Sequence, residues 1–251
     1  EISACLVGSE MCIRDRSYIL CDFDRTISTY NSSTSWGMFR TSKRVSKGYQ
    51  DDSNDLFEKY RPIELDNKID STIKKEHMKR WVLEQVSLFS KYGIDINLYR
   101  EIIKKEITSI VLRNDFSTFA RSMYYLNIPI YIVSGGLFDP ILFALKRNNC
   151  LFPNIDIITN RINEINGKIV GLQEPVLHCL NKDTISLPIS KDSLGLLFGD
   201  LPSDKLLGSN LETINCGFVN DADIYSYNKE FDVCLTGESS FSQVSKLLIK
   251  K

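Results

Sequence analysis

A chain of 251 residues with 43% hydrophobic and 25% charged side chains has the apolar material for one large domain, or a core domain with a smaller insert. Its net charge of −1 gives no electrostatic reason to expect nucleic acid or an anionic membrane as the main partner. No apolar run approaches the roughly 18 residues needed to span a bilayer, and the cysteines form no C-x-x-C pair, which argues against a zinc site or a disulfide framework.

Residues 1–16, EISACLVGSEMCIRDR, have neither helical nor strand period, and no basic start before an apolar stretch. They read as translated sequencing adapter or as a disordered tail, and either reading sets them aside from the fold. Tyr18-Ile19-Leu20-Cys21 is a short apolar run that ends abruptly in acid, as a buried parallel strand does on reaching a site. Residues 28–54 then turn polar and Ser/Thr-rich, and are expected to form a long surface loop that includes a solvated Lys43-Arg44.

Met78, Val82, Val86 and Phe89 recur at helical spacing, with Gly93 as a stop. Tyr99, Ile102, Ile103, Ile107 and Ile110 give a second amphipathic helix, and Phe116, Phe119, Ala120 and Met123 a third. Residues 128–133 read as a buried strand ending at Ser134, and Asp139-Pro140 as the cap and first residue of the next helix. Further strands are expected at 155–158, 194–198, 216–219 and 232–235, with Asn166-Gly167 as a hairpin turn. This alternation implies an α/β fold: a Rossmann-like parallel sheet covered on both faces, with a helical cap inserted after the first strand. The expected division is 17–33 and 113–251 for the core, and 34–112 for the cap.

Ligands bind at the carboxyl ends of strands in open parallel sheets. Three expected strand ends carry polar groups: Asp22-Phe23-Asp24-Arg25-Thr26, Ser134-Gly135-Gly136, and Gly199-Asp200 with Asp204 beyond. Lys182 precedes the last of these. Clustered carboxylates repel unless a cation holds them, and hard oxygen ligands favour Mg²⁺. With that charge and Lys182 in place, a phosphate dianion can approach Asp22, and a carboxylate nucleophile splits hydrolysis into two easier steps. A phospho-accepting receiver domain also gathers Asp, Ser/Thr and Lys around Mg²⁺. It would carry its acceptor on a later strand and lack the helical insert.

These four segments resemble the four motifs of the haloacid dehalogenase superfamily. The resemblance implies Asp22 as nucleophile and metal ligand, and Asp24 as general acid and base with its backbone carbonyl on the metal. It also implies Ser134, Gly135 and Lys182 as phosphate-binding groups, Asp200 as a metal ligand, and Asp204 and Thr26 as supporting residues. The phrases LFEKYRPIELD, HMKRWVLEQ, IPIYIVSGGLFD, CLFPNIDIITNRI, NGKIVG, LHCLNKD and GFVND further resemble, in order, the cytosolic pyrimidine 5′-nucleotidase family of type III.

Members of that family are cytoplasmic enzymes that dephosphorylate nucleoside monophosphates beneath a helical cap. A monomer acting on a small phosphomonoester is therefore expected, with no nucleic acid or membrane partner; a non-nucleotide phosphomonoester is the alternative substrate. Where the family carries a glutamate before a cap tryptophan, this chain has Arg80 before Trp81, and arginine is a donor only. Arg80, Trp81 and His77 are the candidates for contact with the substrate base.

Overall fold

The computed structural model of the protein describes residues 17–66, 68–220, 224–236 and 239–248. Residues 1–16 lie outside these. The strands are β1 (Ser17–Cys21), β2 (Ile130–Leu137), β3 (Ile155–Asn160), β4 (Ile162–Ile165), β5 (Lys168–Leu172), β6 (Leu194–Gly199), β7 (Glu212–Val219) and β8 (Val233–Thr236). Six of them form one sheet in the order β3-β2-β1-β6-β7-β8, with every pairing parallel.

The helices are α1 (Gly37–Thr41), α2 (Lys47–Leu65), α3 (Ser71–Lys91), α4 (Ile96–Glu106), α5 (Phe116–Tyr125), α6 (Phe138–Arg147), α7 (Ile224–Tyr227) and α8 (Phe241–Leu248). The first four lie between β1 and β2 and build the cap. The chain winds outward from β1 to β3, then returns to the other side of β1 with β6. Such a reversal opens a crevice at the strand ends on either side of it.

The register aims that crevice. Cys21 pairs with Phe198 on one side and with Ile132 on the other. Asp22 N–H donates to the Phe198 carbonyl at 2.9 Å, so the residues after β1 and β6 emerge side by side. Behind them Phe119, Phe198, Phe218 and Phe241 pack with ring centroids 5.0–6.1 Å apart and hold the sheet against α5 and α8. The cap has its own aromatic centre, where Phe39 lies 5.1 Å from both Phe89 and Tyr99.

Side-chain caps fix where the cap helices start. Ser46 Oγ accepts from Tyr49 N–H, Asp70 from Thr72 and Ile73, and Asp95 from Leu98. The hairpin β4–β5 turns through Asn166 and Gly167, both at positive φ, and joins the cap. Ile96 N–H donates to the Gly167 carbonyl at 2.9 Å and Ser90 Oγ to the Ile169 carbonyl at 2.5 Å.

Two local expectations are corrected. Residues 28–54 are not one loop, because α1 and the start of α2 occupy much of the segment. The 19-residue helix α2 buries only Tyr49, Ser53 and Tyr60, so it lacks the apolar stripe that announces a helix in sequence. The next helix after β2 begins at Phe138 rather than being capped by Asp139, whose carboxylate instead accepts from Tyr99 Oη–H at 3.2 Å.

Arg113 braces the first motif from beneath. It is buried, donates from Nε to the Thr26 carbonyl and from Nη2 to the Arg25 carbonyl (2.8 Å each), and stacks 4.1 Å from the Phe218 ring. Arg113→Met removes the donors to the Thr26, Arg25 and Ser239 carbonyls, and is expected to cost about 2–4 kcal/mol. A lower urea midpoint with unchanged m-value will show this; a midpoint equal to the parent's will contradict it.

Candidate active site

One cavity of about 380 Å³ opens between the strand ends and the cap. Asp22, Asp24, Ser134, Gly135, Lys182, Asp200 and Asp204 all line it, although they come from four separated segments. Lys182 sits in a short 3-10 turn and is buried. Its ammonium donates to Asp22 Oδ1 at 2.5 Å and to Asp204 Oδ1 at 2.7 Å. The other oxygen of Asp204 accepts from the Asp200 and Leu201 amides at 3.0 Å each. Gly199 makes room for this: a Cβ there would stand 2.4 Å from the Asp204 side chain.

Asp24 is held differently. Its two oxygens accept from Ser35 N–H (2.9 Å) and Ser35 Oγ–H (2.8 Å), while Ser35 Oγ accepts from Leu137 N–H at 3.2 Å. These two bonds fix the orientation of the Asp24 carboxyl while leaving each oxygen a further lone pair. Gly136 is needed beside this pair, because a Cβ would stand 2.3 Å from Ser35 Oγ. Ser134 is buried within β2, and its Oγ accepts from Gly136 N–H. The strand runs on to Leu137 rather than ending at Ser134 as expected, its pairing with β3 shifting register between those two residues.

The loop that carries Lys182 is itself clamped. Asn160 Nδ2 donates to the Gly135 and Leu177 carbonyls, and its Oδ1 accepts from Leu177 N–H, all at 2.8 Å. Asn181 Oδ1 accepts from His178 N–H, and His178 Nδ1 accepts from Leu180 N–H. Gly135 packs against this loop, where its Cβ would lie 3.2 Å from His178 Cα. Ser35, Asn160 and His178 were not singled out from sequence. A polar residue inside a Ser-rich stretch or at a strand end carries no signal of its own.

Burial dominates the electrostatics. It pushes Asp22 up to about 7 against the pull of Lys182, with Asp204 and Asp24 adding to the rise. Burial likewise raises Asp24, opposed by the Ser35 hydrogen bonds, and lifts Asp200 well above the usual carboxylate range with the Asp204 and Asp22 charges behind it. Lys182 is held charged by its two acids.

No hydrogen-bond donor among the described residues reaches the Asp200 carboxylate, so this half-buried acid faces the cavity with only the charges of Arg25 and Lys182 to offset its burial. That donor set, with Asp22 and the Asp24 carbonyl, fits a hard divalent cation that also binds water and phosphate oxygens. Among the described residues no three His, Cys, Asp or Glu side chains converge to cage a metal on their own.

The cap side of the cavity is aromatic and mixed. Trp36, Phe57, Met78, Trp81 and Val82 line it together with Arg61, Glu64 and Gln85. Met78, Trp81, Val82 and Gln85 share one face of α3. Arg80 is exposed on another face and His77 packs 6.2 Å from Tyr60; neither lines the cavity. Thr26 is buried beneath the first motif, with its carbonyl on Arg113, and does not line it either.

A parallel sheet with strand order 3-2-1-6-7-8, a helical cap after β1 and this constellation of acids and lysine define a haloacid dehalogenase-type phosphatase. The family model for pyrimidine 5′-nucleotidase (UMPH-1) matches residues 24–250, and the chain belongs to that family. It is 25% identical over 255 residues to the 7-methylguanosine phosphate-specific 5′-nucleotidase of Drosophila melanogaster, covering 93% of this chain and 79% of the relative.

Among solved structures it is similar to cytosolic 5′-nucleotidase IIIB bound to cytidine, with a TM-score of 0.82, 24% identity, and coverage of 98% of this chain and 88% of that one. A phosphoserine phosphatase in apo form shares the fold at a TM-score of 0.58 and 18% identity, covering 92% and 98%. Among the described residues no helix is long and apolar enough to cross a membrane.

His178 supplies a pH test of the clamp. Burial first, then Lys75 and Lys79, lower its imidazole to about 4, and its Nδ1 must stay unprotonated to accept from Leu180. An unfolded histidine takes a proton near pH 6.5. The clamp's contribution is therefore complete above about 6.5 and is lost as pH falls toward 4, by roughly 3 kcal/mol in all. His178→Asn keeps an acceptor without the titration, and is expected to flatten the decline of stability between those pH values. A decline as steep as the parent's will contradict the assignment.

Proposed function

We propose that the protein is a Mg²⁺-dependent 5′-nucleotidase that hydrolyses a nucleoside monophosphate through an aspartyl-phosphate on Asp22. The observation that carries the reading is the joint placement of Asp22, Asp24, Lys182 and Asp200 on one cavity whose cap side is walled by Trp36, Phe57 and Trp81. A flat base stacks on such rings, while the polar floor suits phosphate.

In the first step an Asp22 oxygen attacks phosphorus and the bond from phosphorus to the nucleoside oxygen breaks. Asp24, whose proton affinity burial raises, gives its proton to the leaving oxygen when it is in its acid form. In the second step the ionised Asp24 takes a proton from water as that water attacks the phosphorus of the acyl-phosphate. Inorganic phosphate leaves and the Asp22 carboxylate is restored.

Lys182, the Ser134 hydroxyl and the Gly135 amide would hold the transferring oxygens. Ser35 keeps the Asp24 carboxyl aimed between them. Asp22, Asp200 and the Asp24 carbonyl would hold Mg²⁺, which when bound neutralises the carboxylates and the phosphate they must receive. Residues 34–112 act in this reading as the cap that covers the nucleoside. The cytidine-bound relative and the nucleotidase names of the curated relatives support a nucleotide over other phosphomonoesters.

Asp22→Asn is isosteric, and is expected to lower phosphate release by roughly three orders of magnitude or more while leaving the melting temperature near that of the parent. Retained turnover will overturn the nucleophile assignment. EDTA is expected to silence the enzyme and Mg²⁺ to restore it. A panel of nucleoside monophosphates, phosphoserine and sugar phosphates will show the highest kcat/KM on a nucleotide; a flat profile or a non-nucleotide optimum will contradict the substrate reading.

A further inference from the structure

The cap side of the cavity holds one ion pair. Arg61 and Glu64 lie three residues apart in the last turn of α2, both line the cavity, and Arg61 Nη1 donates to Glu64 Oε2. Their side chains are only 21% and 11% exposed. The Glu64 backbone carbonyl is fixed by Lys74 Nζ at 3.2 Å.

This pairing decides which charge the cap offers a base. A lone buried carboxylate favours a cationic ring over a neutral one, because the cation repays more of its desolvation. In this chain the carboxylate is already matched. Guanidinium carries five N–H donors and no acceptor, and Glu64 takes only one of them. Among the described residues no other acceptor receives a hydrogen bond from it, so the remaining donors are available to a ligand carbonyl.

We infer that Arg61 is a specificity-determining residue: through its pair with Glu64 it makes the cap select a neutral, carbonyl-bearing base and reject a cationic one. A ring methylated at N7 carries a positive charge and would be brought beside a guanidinium whose cap-side carboxylate, Glu64, is already paired. The relatives named for 7-methylguanosine phosphate act on such a base, and by this inference the present chain differs from them in base charge. Arg80, exposed and outside the cavity, plays no part in this choice. The inference rests on the nucleotidase reading and deepens it.

The test compares kcat/KM for GMP and 7-methyl-GMP, two bases of nearly equal shape that differ in charge, with 4-nitrophenyl phosphate as a substrate without a base. The parent is expected to favour GMP over 7-methyl-GMP by about tenfold or more. Arg61→Met frees the carboxylate, and should move the ratio toward 7-methyl-GMP by at least about tenfold. Adding Glu64→Gln to that variant should abolish the move, and Arg61→Lys, which keeps the charge, should leave the parent's preference in place.

A parent that prefers 7-methyl-GMP overturns the inference whether or not the variants fold. An unchanged ratio in folded Arg61→Met also overturns it while leaving the nucleotidase reading intact. If no nucleotide is turned over better than 4-nitrophenyl phosphate, both fall together.

Discussion

The site depends on one buried ammonium shared by two carboxylates. Lys182 reaches Asp22 and Asp204 at once, and nearly all of its side chain is withdrawn from water. Burying such a charge costs several kcal/mol and is tolerated only when partners and geometry are supplied together. Here the partners come from the end of β1 and from the turn after β6, and the lysine from a loop between β5 and β6. Any shift of that loop leaves two acids facing each other without a counter-charge. The surrounding structure is accordingly devoted to holding the loop still, through Asn160, Asn181 and an unprotonated His178.

The same economy links the cap to the core. Ser35 stands where the chain enters the cap and receives Leu137 N–H from the end of β2, while both Asp24 oxygens rest on it. The carboxyl expected to move protons is thus fixed by a residue that also fixes the cap's entry. Trp36, the next residue, donates from its indole to the Gly135 carbonyl at 3.1 Å while its ring faces the cavity. The entry to the cap and the orientation of the acid therefore rest on the same two neighbouring residues.

Much of this was legible in the sequence because the polar groups that line the cavity floor follow apolar strands. Asp22, Ser134 and Asp200 each end or follow a run whose burial is obvious from composition, and the Rossmann-like order follows from their alternation with helices. The helix α2 was not legible. Its buried residues are two tyrosines and a serine among charges, and no periodicity separates them from a surface loop. Arg61 and Glu64, which lie on that helix, were hidden with it. Arg80 drew notice from its place before Trp81, but its position along the turn directs it away from the face that carries Trp81 into the cavity.

The most direct test of the account is to find where phosphate resides during turnover. Quenching the enzyme in acid with substrate, reducing with borohydride and mapping peptides converts an acyl-phosphorylated aspartate to homoserine and marks its position. The account predicts the mark at Asp22 alone, dependent on both Mg²⁺ and substrate. A mark at another residue, or none while substrate is consumed, will contradict it.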